Sequence, residues 1–136
     1  MPIRPPIRQP IRQHRGSRAY ALGVDAEDAA CAALARDGWT VLGRRLRTPA
    51  GEVDAVAEKE GLLAFIEVKA RPSLSGAAWS LSARQRARLL AAAEILLAEH
   101  PEWASAGWGT AGVRFDVLLV DAAGAVRRIA DAFRQE

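Results

Sequence analysis

Two carboxylates and an ammonium close together are groups that hold a divalent cation and steady a water or a phosphoryl oxygen. This chain carries such a trio, Asp54, Glu67 and Lys69, inside residues 51–71, GEVDAVAEKEGLLAFIEVKAR. Val53, Ala55 and Ala57 alternate with Glu52, Asp54 and Val56. The polar turn Glu58-Lys59-Glu60-Gly61 follows, then the β-rich run 62–69, so the stretch predicts a β-hairpin. Side chains alternate faces along a strand, so Glu67 and Lys69 point the same way, as do Glu52 and Asp54. A register that puts Asp54 on the face of Glu67 gathers all three at one end of a sheet. The same residues would also make a structural ion-pair ladder across the hairpin, and the D-x(12)-E-x-K spacing does not choose between the two.

The identity of Lys69 adds weight to the chemical reading. Of nineteen basic residues only Lys59 and Lys69 are lysines. An otherwise arginine-rich chain has kept a compact ammonium at 69, where a planar guanidinium would not reach a small target in the same way. Lys59, in the turn, reads as solvated.

The elements that position this trio come from a chain of 136 residues, enough for one domain with a substantial core. A single cysteine, Cys31, excludes an internal disulfide, and without a second thiol or a histidine cluster a zinc site is not expected. The longest apolar run, 89–98, is interrupted by Glu94, and the N-terminus has no apolar signal-like core. No membrane is implied, and the cytoplasm is the default location.

Charge divides the chain. Residues 1–18 carry five arginines and no acid, which leaves fourteen basic and sixteen acidic residues beyond them: a tail of +5 and a body of −2. The basic balance therefore belongs to the tail and does not argue that the folded domain binds nucleic acid. With proline at 2, 5, 6 and 10, the tail is expected to be extended or disordered. It would serve either as an arm adding phosphate contacts or as an unstructured leader, and residues 19–136 form the single domain.

From Ser17 or Ala19 to about Asp37 the pattern is helical, stopped by Gly38. Glu27 falls inside the apolar arc near its edge, so it should pair with an arginine of the next strand or face a cation. Residues 39–47 predict the first strand, whose Arg44, Arg45 and Arg47 either meet phosphates or stay solvated on an exposed edge. Residues 70–79 read as a loop. Ser82 opens a second helix with an S-x-x-Q capping box to Gln85 and a stripe of Leu89, Leu90, Ala93, Leu96 and Leu97; Arg84 and Arg88 share a neighbouring face. Residues 101–112 form a loop whose Trp103 and Trp108 would pack or stack on bases. A buried strand at 113–120 and a last strand or short helix at 125–133 complete the chain.

In this order Gly23-x-x-x-Glu27, Gly51-Glu52-Val53-Asp54, Phe65-Ile66-Glu67-Val68-Lys69-x-Arg71 and Arg114-Phe115-Asp116 resemble the YraN-type uncharacterised bacterial proteins. That family is described as endonuclease-like and similar to archaeal Holliday-junction resolvases. The resemblance covers about 19–133 and implies a restriction-endonuclease-like α-β-β-β-α-β core, an α/β fold with a mixed sheet flanked by helices. It implies Asp54 and Glu67 as metal ligands, Lys69 as the water-activating or phosphate-facing cation, Glu27 as an additional carboxylate, and Gln85 as a match to a helix glutamine of some relatives. Where relatives carry an Arg-Asn pair on the first strand, this chain has Arg44-Arg45.

The expected activity is metal-dependent hydrolysis of phosphodiester bonds in DNA, including branched or structured DNA. Mg²⁺ or Mn²⁺ would be held by Asp54, Glu67 and the Val68 carbonyl, with Glu27 alongside, and Arg44, Arg45, Arg71, Arg84 and Arg88 would meet phosphates. The expected partners are DNA and, as one open assembly, a second copy in a homodimer. Two other classes stand beside this one: a non-catalytic nucleic-acid-binding module of the same fold, and a protein-interaction domain using the tail or the tryptophan loop.

Overall fold

The computed structural model describes residues 25–75 and 80–134; the arginine-rich tail and Trp79 lie outside them. The chain runs α1 (Ala26–Arg36), β1 (Thr40–Thr48), β2 (Gly51–Lys59), β3 (Leu62–Ala70), α2 (Ala83–Glu99), α3 (Pro101–Ser105), β4 (Gly112–Val120), β5 (Val126–Ile129) and a closing 3₁₀ turn, Ala132–Arg134. The strands form one sheet in the order β1-β2-β3-β4-β5. Only β3 and β4 pair in parallel, because α2 lies between them in sequence and carries the chain back; the other neighbours are antiparallel. This is the α/β architecture with a mixed sheet that the sequence predicts.

The central strands are apolar on both faces because both faces are covered. Val56, Leu63, Phe65, Val117 and Leu119 pack beneath Leu89, Ala93 and Leu96 of α2, with Trp103 beside them. Ala55, Ala57, Ala64, Ile66 and Leu118 pack against Ala30 and Leu34 of α1. Small alanines on both sides let α1 approach the sheet closely. A slip of one residue in β3 would swap these two sets between faces, so the register that positions Glu67 is strongly specified.

The local signals explain the ends of the elements. Asp25, with extended backbone at φ −94° and ψ 113°, caps α1 by accepting from the N–H groups of Glu27 and Asp28. The described helix thus starts at Ala26, and the expected start at Ser17 or Ala19 lies outside the described residues. Ser82 and Gln85 form the expected capping box on α2. Along that helix Leu90 and Leu97 are exposed, and Ala92 takes a core position, so the buried stripe is narrower than the leucine pattern suggests. The expected 101–112 loop begins with the short helix α3, started by Pro101 at its first turn. Trp103 is buried and Trp108 packs on the core, so both tryptophans serve packing. The last segment divides into a strand and a 3₁₀ turn, using both expected forms.

Candidate active site

The hairpin turn is where the site's geometry begins. Glu60 and Gly61 both have positive φ, +52° and +84°, as a two-residue turn matched to strand twist requires. It fixes the ladder from Lys59↔Leu62 to Ala55↔Ile66, which ends one residue short of Asp54. There the backbone ladder gives way to a side chain: the Asp54 carboxylate accepts the Val68 N–H at 2.7 Å. On the other edge, the β1–β2 pairing passes from Arg44↔Ala55 to Leu46↔Val53, over Asp54. Arg45, the residue it skips, has φ +52°, a left-handed conformation uncommon for a long side chain. Asp54 therefore stands where the regular pairing of β2 is interrupted on both sides.

Glu67 and Lys69 continue the alternation of Leu63 and Phe65 and so belong to the α2 face. Their side chains are mostly buried, yet Lys69 Nζ and Glu67 Oε2 are 3.9 Å apart, an ion pair beyond hydrogen-bond distance. The structure thus brings Asp54, Glu67 and Lys69 to the end of the sheet where β2 begins and β3 finishes.

Glu27 has a different place. It is buried, and its Oε1 takes the Arg45 Nε at 2.7 Å, with Arg44 Nη2 at 3.8 Å. Arg44 itself bonds Asp28 at 2.7 Å. The reversed φ at Arg45 breaks the strand's alternation and lets consecutive arginines both reach α1. The expected pairing of Glu27 with a next-strand arginine is therefore observed, whereas a solvated Arg45 on the edge strand is not. Burial pushes the Cys31 thiol up from its ordinary pKa; Arg44 opposes this, while Asp28, Asp25 and Asp54 add to it. Asp54 thus lies within electrostatic reach of α1, even though its sequence neighbours serve the sheet. Among the described residues, no three of His, Cys, Asp and Glu gather as a ready metal cluster.

The remaining site residues divide by what they bind. Gln85 accepts from the Ser82 N–H at 2.9 Å, so its carbonyl is committed to the cap. Arg71 donates to the Ala70 carbonyl at 2.8 Å. Arg84 is exposed on the first turn of α2, and the stem of Arg88 lies over Gly51.

A second charged cluster gathers around Asp116, whose Arg114-Phe115-Asp116 motif carries part of the family resemblance but no expected role. Asp116, 1% exposed, has Arg114 Nε at 3.0 Å from its Oδ1, accepts the Asp131 N–H at 2.8 Å, and has Arg128 Nε at 3.9 Å. Both guanidiniums also lie over the Trp39 ring, at 5.3 and 5.4 Å from its centroid. The signal was available: an acid inside the apolar run of β4 is as anomalous as Glu67 is in β3.

A family model matches residues 26–120, a span holding Glu27, Asp54, Glu67, Lys69, Gln85 and Asp116. The chain belongs to the uncharacterised protein family UPF0102. It is 60% identical over 120 residues to a UPF0102 protein of Granulibacter bethesdensis, covering 88% of this chain and 73% of that one. A UPF0102 protein of Azorhizobium caulinodans is 45% identical over 133 residues, 98% of each chain, and one of Rhodopseudomonas palustris is 44% identical over 115 residues, 85% of each. The YraN-like resemblance is thus confirmed as membership of UPF0102.

For this UPF0102 chain the donor chemistry at the hairpin's end suits a hard divalent ion. Asp54 bonds one side of the peptide that joins Glu67 to Val68, so two carboxylates and the backbone offer only oxygen ligands. Glu27, the further carboxylate of the expected set, has its Oε1 tied to Arg45.

Proposed function

We propose that this UPF0102 protein is a Mg²⁺- or Mn²⁺-dependent endonuclease that hydrolyses phosphodiester bonds in DNA, with branched or structured DNA as its substrate. The observation that carries the reading is the break in β2 at Asp54: its carboxylate reaches the Glu67–Val68 peptide while Glu67 and Lys69 share one face beside it.

In this reading Asp54, Glu67 and the Val68 carbonyl hold the ion, which when bound supplies positive charge for the phosphoryl and leaving oxygens. Lys69 orients the attacking water and meets the charge that grows on the phosphoryl oxygen. The 3.9 Å separation from Glu67 leaves its ammonium hydrogens available for those bonds. Asp54 keeps the end of β3 in place through the Val68 amide, so the two carboxylates stay in register. Glu27 acts one step removed: it fixes Arg45, and with it the break in β1 beside Asp54.

Calorimetric titration of Mn²⁺ into the full chain and into Asp54→Asn tests the ion site, with cleavage of duplex, flap and four-way-junction DNA scored in parallel. The wild type should bind and cleave. Asp54→Asn should lose at least tenfold in ion affinity and lose cleavage, yet melt within a few degrees of the wild type, because Asn keeps an acceptor for the Val68 amide. Equal, negligible heats from both proteins sink the metal site. DNA binding that survives chelation without any cleavage assigns the chain to the non-catalytic DNA-binding class instead.

A further inference from the structure

The arginines expected to meet phosphates fall into two groups. Arg44 and Arg45 are engaged by acids of α1. Among the described residues no carboxylate pairs with Arg71, Arg84 or Arg88. Of these three, Arg88 alone has a seat built for it. Gly51 has φ +144°, and a Cβ there would lie 2.7 Å from both Cγ and Cδ of Arg88 and 3.2 Å from its Nε. The missing side chain at the start of β2 is thus the space that the arginine stem occupies, and the left-handed backbone keeps other residues out.

That seat is specific in position. Leu89, next in the chain, is buried in the same core as Val53, so α2 crosses β2 just before Asp54. Gly51 precedes Asp54 by three residues, about 10 Å of strand. Arg88 therefore stands on the α2 face, which Glu67 and Lys69 also share, with its stem immobilised and its guanidinium uncommitted to any acid. A long cation held this way has already lost much of the rotamer freedom that gripping a ligand would otherwise cost.

We propose that Arg88, seated on Gly51, is the phosphate-gripping residue of this site: it holds a DNA backbone phosphate adjacent to the one that Asp54, Glu67 and Lys69 address. The inference rests on the nuclease reading. It assigns the substrate grip to α2 and removes it from Arg44 and Arg45, whose charges serve α1.

The test is binding of fluorescein-labelled duplex and four-way-junction DNA to the full chain in EDTA, followed by anisotropy across a salt series. Arg88→Gln keeps a polar stem over Gly51 and deletes the charge. It should raise Kd roughly five- to tenfold and reduce the slope of log affinity against log salt by about one, the effect of one lost phosphate contact. Arg88→Lys should keep the wild-type slope, and Arg44→Gln should leave it unchanged. If Arg88→Gln does not fold, as judged by its melting, Arg88→Met supplies the neutral stem. A neutral variant with wild-type slope and Kd overturns the inference, and so does an Arg88→Lys slope as low as that of the neutral variant. If either occurs while the wild type still cleaves with Mn²⁺, the nuclease reading stands and only the assignment of Arg88 falls. A wild type that binds neither DNA removes both.

Discussion

The two acidic centres of the sheet are built on opposite plans. Asp116 has no exposed side-chain surface and is surrounded by its own chain: two guanidiniums, the Asp131 amide and, behind the guanidiniums, the Trp39 ring. Asp54 and Glu67 sit at the end of the sheet, where one accepts a backbone amide and the other holds its ammonium partner at 3.9 Å. Asp116 is enclosed, with the Asp131 amide at 2.8 Å, Arg114 at 3.0 Å and Arg128 farther off at 3.9 Å. The looser centre at the interrupted strand gives up some pairing, and its Glu67–Lys69 pair stays beyond hydrogen-bond distance. Glu27 lies between these extremes, buried like Asp116 but beside the open centre.

The contrast is sharpest in what truncation should cost. Asp116→Ala leaves Arg114 and Arg128 without their counter-charge and should destabilise the fold by about 3–5 kcal/mol, measured by urea denaturation, with ion binding retained in whatever fraction remains folded. An Asp116→Ala protein as stable as the wild type would mean that the network is not structural and would erase the distinction.

Glu27→Gln should be intermediate. It strands the Arg45 guanidinium in a site where that side chain is 11% exposed, and should cost roughly 2 kcal/mol, while Mn²⁺ affinity stays within a few-fold of wild type. A loss of ion affinity as large as that of Asp54→Asn would move Glu27 into the ion's ligand set, as the family resemblance implies.

Lys69→Arg should have the smallest effect on the fold of the three, because it conserves the charge in a pair already 3.9 Å apart. Its cleavage should nevertheless be lost, since the guanidinium occupies the place of the water. Full cleavage by Lys69→Arg would show that any cation at 69 suffices, and that the open centre is less exacting than its geometry implies.

Arg45 has a left-handed backbone conformation, which asparagine tolerates better than arginine does. Here an arginine takes the strained position at a cost of order 1 kcal/mol, offset by its bond to Glu27.

The sequence by itself determined what neighbours within a few residues control. The Ser82-Gln85 capping box, the shared face of Glu67 and Lys69 and a turn within residues 58–61 are local consequences of backbone geometry that follow from the sequence, whereas the expected alternation fails at Asp54: Val53 packs on the α2 side and Ala55 and Ala57 on the α1 side. The single anomalous acid of each apolar run was equally visible, although only that of β3 drew a role. Tertiary structure decided whether an acid is closed or open. Whether Glu27 binds Arg45, whether Asp54 meets the Val68 amide and whether Asp116 gathers Arg114 and Arg128 depend on register and on side-chain reach across 14 to 18 residues of chain in the first two cases. The same holds for Gly51: its neighbours in sequence mark a turn, and only the crossing of α2 over β2 shows that the space it leaves is filled by Arg88.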